Sequence, residues 1–133
     1  MRILRIITRL NIGGPAIQAL DLTNELTKRG HECQLLSGIS PKEEGCMFTK
    51  YKDYIPVRFQ GSLKRELNLK LDYYAFKALR WKIKEFKPDI IHSHMSKAGA
   101  LIRLAALTIP KKNRPKLIHT YHGMEGMSMV GMY

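Results

Sequence analysis

The chain has 133 residues, of which 44% are hydrophobic and 26% charged, the balance of one globular domain with a real hydrophobic core. No run of about 18 apolar residues exists, so a membrane-spanning helix is not expected, and Met1 to Ile7 is too short an apolar run, without a small-residue cleavage site, to read as a signal peptide. The unusual number is the charge: 23 basic against 11 acidic side chains leave +12, a field that attracts phosphates on nucleic acid, anionic lipid or a nucleotide-linked substrate.

Ile3, Leu4, Ile6 and Ile7 form a near-continuous β-prone run, the pattern of a parallel strand covered on two faces. It ends in Gly13-Gly14-Pro15, where paired glycines allow a tight turn and Pro15 suits a first helical turn. Ala16, Ala19, Leu20, Thr23 and Leu26 recur at helical spacing, and Gly30 is a stop signal. Cys33, Leu35 and Leu36 mark a second strand closing at Ser37-Gly38, which makes a β-α-β unit with a right-handed crossover. Residues 39–54 lose the pattern and read as an excursion over the ligand edge of the sheet. Val57 to Phe59 is a short third strand. From about Leu67 to Phe86, Leu69, Tyr73, Phe76, Leu79, Ile83 and Phe86 step by three and four and predict a helix face packed on the sheet.

Pro88 restarts the chain as the central strand, ending at His92-Ser93-His94. Ser96 to Thr108 is rich in Ala and Leu and predicts a helix; after a basic connection, Lys116 to Tyr121 is another strand ending at His122-Gly123. The pattern as a whole is a doubly wound, Rossmann-like α/β sheet with helices on both faces, residues 1–123, followed by a Met-rich tail, residues 124–133.

In such a sheet all parallel strands end on one side, so Gly13-Gly14, His92/His94 and His122-Gly123 are expected to gather in one crevice. Gly13 and Gly14 would offer backbone N–H groups and a helix N-terminus to a phosphate or carboxylate. A tight turn and nothing more is the competing reading, because neither the full Gly-x-Gly-x-x-Gly pattern nor a P-loop lysine is present. His92 is expected as a core histidine bonded to backbone, on the opposite sheet face from His94, with His94 better placed to reach the crevice. His122 could hydrogen-bond a sugar hydroxyl or position a reacting group, and Gly123 would let substrate lie against the backbone; the alternative is a solvent-edge histidine at a turn. A zinc site from His94 and His122 lacks a third ligand at suitable spacing, and Cys33 and Cys46 are too few and too isolated for a disulfide framework or metal knuckle. No metal and no cofactor are expected, and reduced thiols fit a cytoplasmic protein.

Lys70, Lys77 and Lys84 step by seven along the long helix, with Tyr74 and Trp81 beside them. Such a stripe is ordinarily a solvated face, but aromatic rings next to lysines also suit an anionic membrane interface. Nucleic acid ranks last among the polyanions, since no nucleic-acid motif appears.

Four separated segments carry a resemblance in the expected order: residues 6–16 (Ile-Ile-Thr-Arg-Leu-Asn-Ile-Gly-Gly-Pro-Ala), Leu63-Lys64-Arg65-Glu66-Leu67, residues 87–99 (Lys-Pro-Asp-Ile-Ile-His-Ser-His-Met-Ser-Lys-Ala-Gly) and His119-Thr120-Tyr121-His122-Gly123. Together they resemble the N-terminal domain of family 4 glycosyltransferases, retaining enzymes of the GT-B fold. The resemblance implies an acceptor-side domain facing a C-terminal domain that binds a nucleotide-sugar donor. It implies that Gly13, Gly14 and Gly123 lie near the donor and its phosphates, that His122 sits near the reacting centre, and that His94, Lys97 and Arg65 line the acceptor side. The acceptor would be a carbohydrate or lipid-linked sugar, and the location cytoplasmic or peripheral on the inner membrane face. The tail from Met124 to Tyr133 departs from the family's usual continuation, and the donor domain's residues are missing, so the isolated chain is expected to be inactive unless a partner chain supplies that half.

Overall fold

The structure is a computed structural model that describes residues 1–8, 10, 14–38, 57–64 and 67–120. Among the described residues, five parallel strands make one sheet: β1 (Arg2–Ile7), β2 (Glu32–Ser37), β3 (Val57–Phe59), β4 (Ile90–His94) and β5 (Lys116–Thr120), in the order β3-β2-β1-β4-β5. The α-helices among the described residues are α1 (Gly14–Lys28), α2 (Leu69–Phe86) and α3 (Ser96–Leu107), which connect the strands. The doubly wound, Rossmann-like architecture read from the sequence is therefore the one observed.

Both faces of β1 are buried, as its unbroken apolar run requires. Leu4 and Ile6 face α2 and α3 in a cluster with Leu63, Leu79, Ile83, Ile102 and Ala105. Ile7 faces α1 with Ala16, Ala19, Leu20, Leu35 and Met95. Small residues on α1 let that helix lie close to the strands.

Helix ends follow their local chemistry. Gly30, at φ 93°, terminates α1 in a Schellman turn, with His31 N–H donating to the Leu26 carbonyl and Gly30 N–H to Thr27. Asn68 caps α2: its side chain accepts from Leu71 N–H at 3.0 Å, while Asp72 reaches back to Asn68 N–H at 3.2 Å. Lys87, left-handed at φ 52°, stops α2 immediately before Pro88.

The buried stripe of α2 differs from the one predicted. Ala75, Leu79, Lys82, Ile83 and Phe86 are buried, while Leu69 is 83% exposed and Tyr73 also faces water. At about 100° per residue Tyr73 stands about 120° round from Leu79, whereas Asp72 lies only about 20° from it. The inward position of the first turns thus belongs to Asp72. Lys82 is buried, with its ammonium over the Phe86 ring and 3.4 Å from the Glu85 carboxylate.

Candidate functional site

One row of the ladder crosses the whole sheet: Phe59, Ser37, Ile7, His94 and Thr120 are successive register partners. It is the last row before the strands give way to their elbows. From β1 the chain passes to β2 on one side, and from β4 to β5 on the other, so the winding reverses between β1 and β4. That reversal, outside the carboxyl ends of the strands, is where open α/β sheets bind ligands.

The β4 elbow is strained and tied down. Met95 has φ 71° and ψ 155°, a region that side-chain-bearing residues rarely enter. Its buried side chain packs in the α1-side cluster and holds it there. Met95 offers no side-chain cap to α3. An N–H of the first turn is satisfied from the residue after β1 instead, since Ala98 N–H donates to the buried Thr8 hydroxyl at 3.2 Å. At the β2 elbow, a Cβ on Gly38 would overlap the carbonyl oxygens of Leu63 and Thr8. Gly38 lets three backbone segments meet at the edge, a role its place at a strand end hints at but does not define.

Behind the row lies a polar cluster. Arg5 is fully buried, and its Nη2 donates to His94 Nε2 at 2.6 Å. The His94 ring stacks on His92 with centroids 4.4 Å apart, and His92 Nε2 lies 2.6 Å from Thr120 Oγ1. The two histidines therefore share a face, which corrects the expectation of opposite faces: residues two apart on a strand point the same way. His94 is the fully buried one and His92 only half-buried, the reverse of the expected order, and the Thr120 hydroxyl is among the partners of His92. Burial lowers the Arg5 guanidinium to about 10, so it still carries its charge at neutral pH. Its Nε and Nη1 have no hydrogen-bond partner among the described residues. On the other face, Ser93 Oγ meets His119 Nδ1 at 2.7 Å, and the His119 ring covers Gly99, where an added Cβ would come within 2.6 Å of it.

Lys97, in the first turn of α3, reaches Asp72 Oδ1 at 2.7 Å and the Lys64 carbonyl at 3.0 Å. Gly14 opens α1 directly after the β1 elbow. Arg65, Gly13, His122 and Gly123 lie outside the described residues. The nearest described residues are Lys64, beside Lys97, and Thr120, at the end of the common row. Among the described residues no three His, Cys, Asp or Glu side chains group as metal ligands. A cavity of about 490 Å³ lined by Ile83, Lys87, Asp89, Ile109 and Pro110 opens at the opposite edge, beside the amino ends of β4 and β5, away from the row.

A sequence profile described as Glycosyltransferase Family 4 matches residues 12–131. The chain belongs to glycosyltransferase family 4. Within that family it resembles the UDP-Gal:alpha-D-GlcNAc-diphosphoundecaprenol alpha-1,3-galactosyltransferase of Escherichia coli, with 34% identity over 82 residues, which are 62% of this chain and 20% of that enzyme. The chain thus corresponds to the N-terminal domain of a family 4 glycosyltransferase and spans a fraction of its relative's length. Solved structures carry the same fold. The UDP-GlcNAc 2-epimerase of Neisseria meningitidis superposes with a TM-score of 0.67 at 18% identity, over 93% of this chain and 33% of that one. MurG of Acinetobacter baumannii superposes at 0.58 and 19%, over 91% and 35%. These likenesses identify the sheet as one half of a GT-B architecture.

Proposed function

We propose that this family 4 chain is the acceptor-side domain of a retaining, nucleotide-sugar-dependent glycosyltransferase, and that it transfers sugar only when a C-terminal donor-binding domain completes the cleft. The observation that carries the reading is the shared last row: Ile7, His94 and Thr120 are adjacent register partners, so the elbows of β1, β4 and β5 begin side by side. In this reading Gly13 and Gly14 present N–H groups to the donor diphosphate, His122 stands near the anomeric carbon, and Gly123 leaves room for the sugar. His94, Lys97 and Arg65 shape the acceptor side. Transfer then depends on stabilising the charge of the departing nucleoside diphosphate, which the glycine N–H groups share with cations of the incoming domain. The acceptor class we favour is a lipid-linked sugar, in keeping with the diphosphoundecaprenol acceptor in the relative's name.

The test is a transfer assay on the chain alone and on the chain fused after Tyr133 to the donor half of a full-length relative. The expected result is transfer from nucleotide-sugar by the fusion, its loss on His122→Ala, and none by the isolated chain. Efficient transfer by the isolated chain would show the second half to be dispensable and end this reading.

A second reading, a peripheral hold on an anionic membrane on the cytoplasmic side, is favoured by one surface. Lys70, Lys77 and Lys84 are exposed along α2 beside exposed Tyr73, Tyr74 and Trp81, the last 64% exposed. No helix among the described residues is long and apolar enough to cross a membrane, so any such hold would be interfacial. Co-sedimentation with acidic but not neutral vesicles, weakening as salt rises and reduced by Trp81→Ala, is the expected outcome. Binding indifferent to lipid charge and salt would remove it.

A further inference from the structure

We infer that Arg5 is a positioning residue: its guanidinium fixes the tautomer of His94 and, through the stacked His92, holds the end of β5. This rests on the reading of the β5 elbow as the reacting side. A guanidinium has N–H donors and no acceptor, so at 2.6 Å the Nε2 of His94 must be the acceptor and carry no proton. The ring is then neutral with its hydrogen on Nδ1. An imidazolium would set two cations donor to donor at that distance. His92 lies stacked on this ring at an interplanar angle of 27°, and its Nε2 meets Thr120 Oγ1, the last residue of β5 and the one that precedes Tyr121-His122-Gly123. The contacts run without a gap from the middle of β1 to Thr120, at the end of the strand two places away in the sheet.

Arg5 is a poor choice for holding the fold alone. It is fully buried, gives His94 one hydrogen bond, and leaves Nε and Nη1 without partners among the described residues. A methionine would fill the same space without desolvating a charge. What a methionine cannot do is donate to an imidazole.

Nitrogen-15 NMR of the histidine-labelled chain at neutral pH reads this directly. The parent chain is expected to show His94 as the Nδ1–H tautomer. Arg5→Met should move His94 toward the Nε2–H form and shift the Thr120 amide, with the melting temperature unchanged or raised, and Arg5→Lys, still a cationic donor, should restore the parent pattern. An Nε2–H tautomer in the parent, or His94 signals indifferent to Arg5→Met, would overturn the inference. Unfolding of both variants would do the same by making Arg5 structural. If only Arg5→Met unfolds, Arg5→Lys decides: the Nδ1–H form supports the inference and the Nε2–H form overturns it. The readout needs no ligand, so a completed enzyme that transfers no sugar would sink the functional reading and leave this one intact.

Discussion

Lys97 and Asp72 form an ion pair of 2.7 Å with each side chain 14% exposed, pinning the start of α3 to the start of α2. Asp72 has a second task there, accepting from the Asn68 N–H that opens α2. Removing the carboxylate charge therefore takes the anionic partner from a largely buried ammonium, which keeps the Lys64 carbonyl, and weakens the contact to Asn68 N–H, whereas removing the ammonium leaves that contact in place. We expect Asp72→Asn to cost about 2–3 kcal/mol and Lys97→Met less, with a coupling of about 1 kcal/mol or more in a double-mutant cycle. Urea denaturation of the two single variants and the double variant checks this. Strictly additive effects would mean that the pair does not act as a unit.

Gly99 sits beneath the His119 ring, where an added methyl would collide with Cε1 and Nδ1. Alanine in a helix interior is otherwise favoured over glycine by about 1 kcal/mol. The sign should therefore depend on the ring. Gly99→Ala is expected to destabilise the parent by about 1–3 kcal/mol through overpacking, yet to stabilise a His119→Ala background by about 1 kcal/mol. Thermal denaturation of the four chains is the measurement, and a loss in both backgrounds would contradict the packing argument.

Met95 sets side-chain burial against backbone strain. Truncation to Ala empties the space and keeps the unfavourable φ, while Gly empties slightly more and relieves it. Met95→Gly should thus be the milder substitution by about 1–3 kcal/mol, inverting the usual rank of the two residues. Paired denaturation midpoints decide it: an Ala variant as stable as the Gly variant would show that the elbow holds no strain.

Arg5 is the residue whose charge burial opposes. Its folded-state value of about 10 lies well below the ordinary guanidinium range, so the native state disfavours the proton that the unfolded chain keeps. The penalty is complete below pH 10 and fades as pH climbs above it. Arg5→Met should accordingly raise stability by about 1–4 kcal/mol at neutral pH, with its advantage over the parent shrinking across that alkaline interval. Denaturation of both chains at matched pH values tests it. A stability loss on substitution would mean that the guanidinium is better satisfied than its contacts indicate.

The strands and helices were legible because each carries its own period: β1 an unbroken apolar run, α1 a stripe ended by Gly30, α3 a stretch of Ala and Leu. Parallel order followed from the connections. What could not be read was which side chains meet across long separations. Asp72 and Lys97 lie 25 positions apart and look like ordinary surface charges in the sequence, so their pairing, and the displacement of Leu69 and Tyr73 from the core, had no local signal. The two histidines on β4 did have one: the two-residue repeat of a strand places them on one face, and the stack follows from it. Arg5 reads as a break in the apolar run of β1, and only the fold reveals that the imidazole it meets is 89 positions away.

The path from β3 to β4 has a consequence during synthesis. The chain leaves the sheet at Phe59 on one margin and returns at Ile90 against the far side of β1, so until β4 is made, one side of β1 has no strand to pair with. Closing a flexible loop of the length that joins Arg5 to His94 carries an entropic penalty of about 4 kcal/mol before its contacts repay any of it. Nascent chains that have not yet emerged past His94 would therefore keep a bare ladder in the middle of the future sheet. Translation pauses before that point would be the moment of greatest exposure to chaperones and to aggregation.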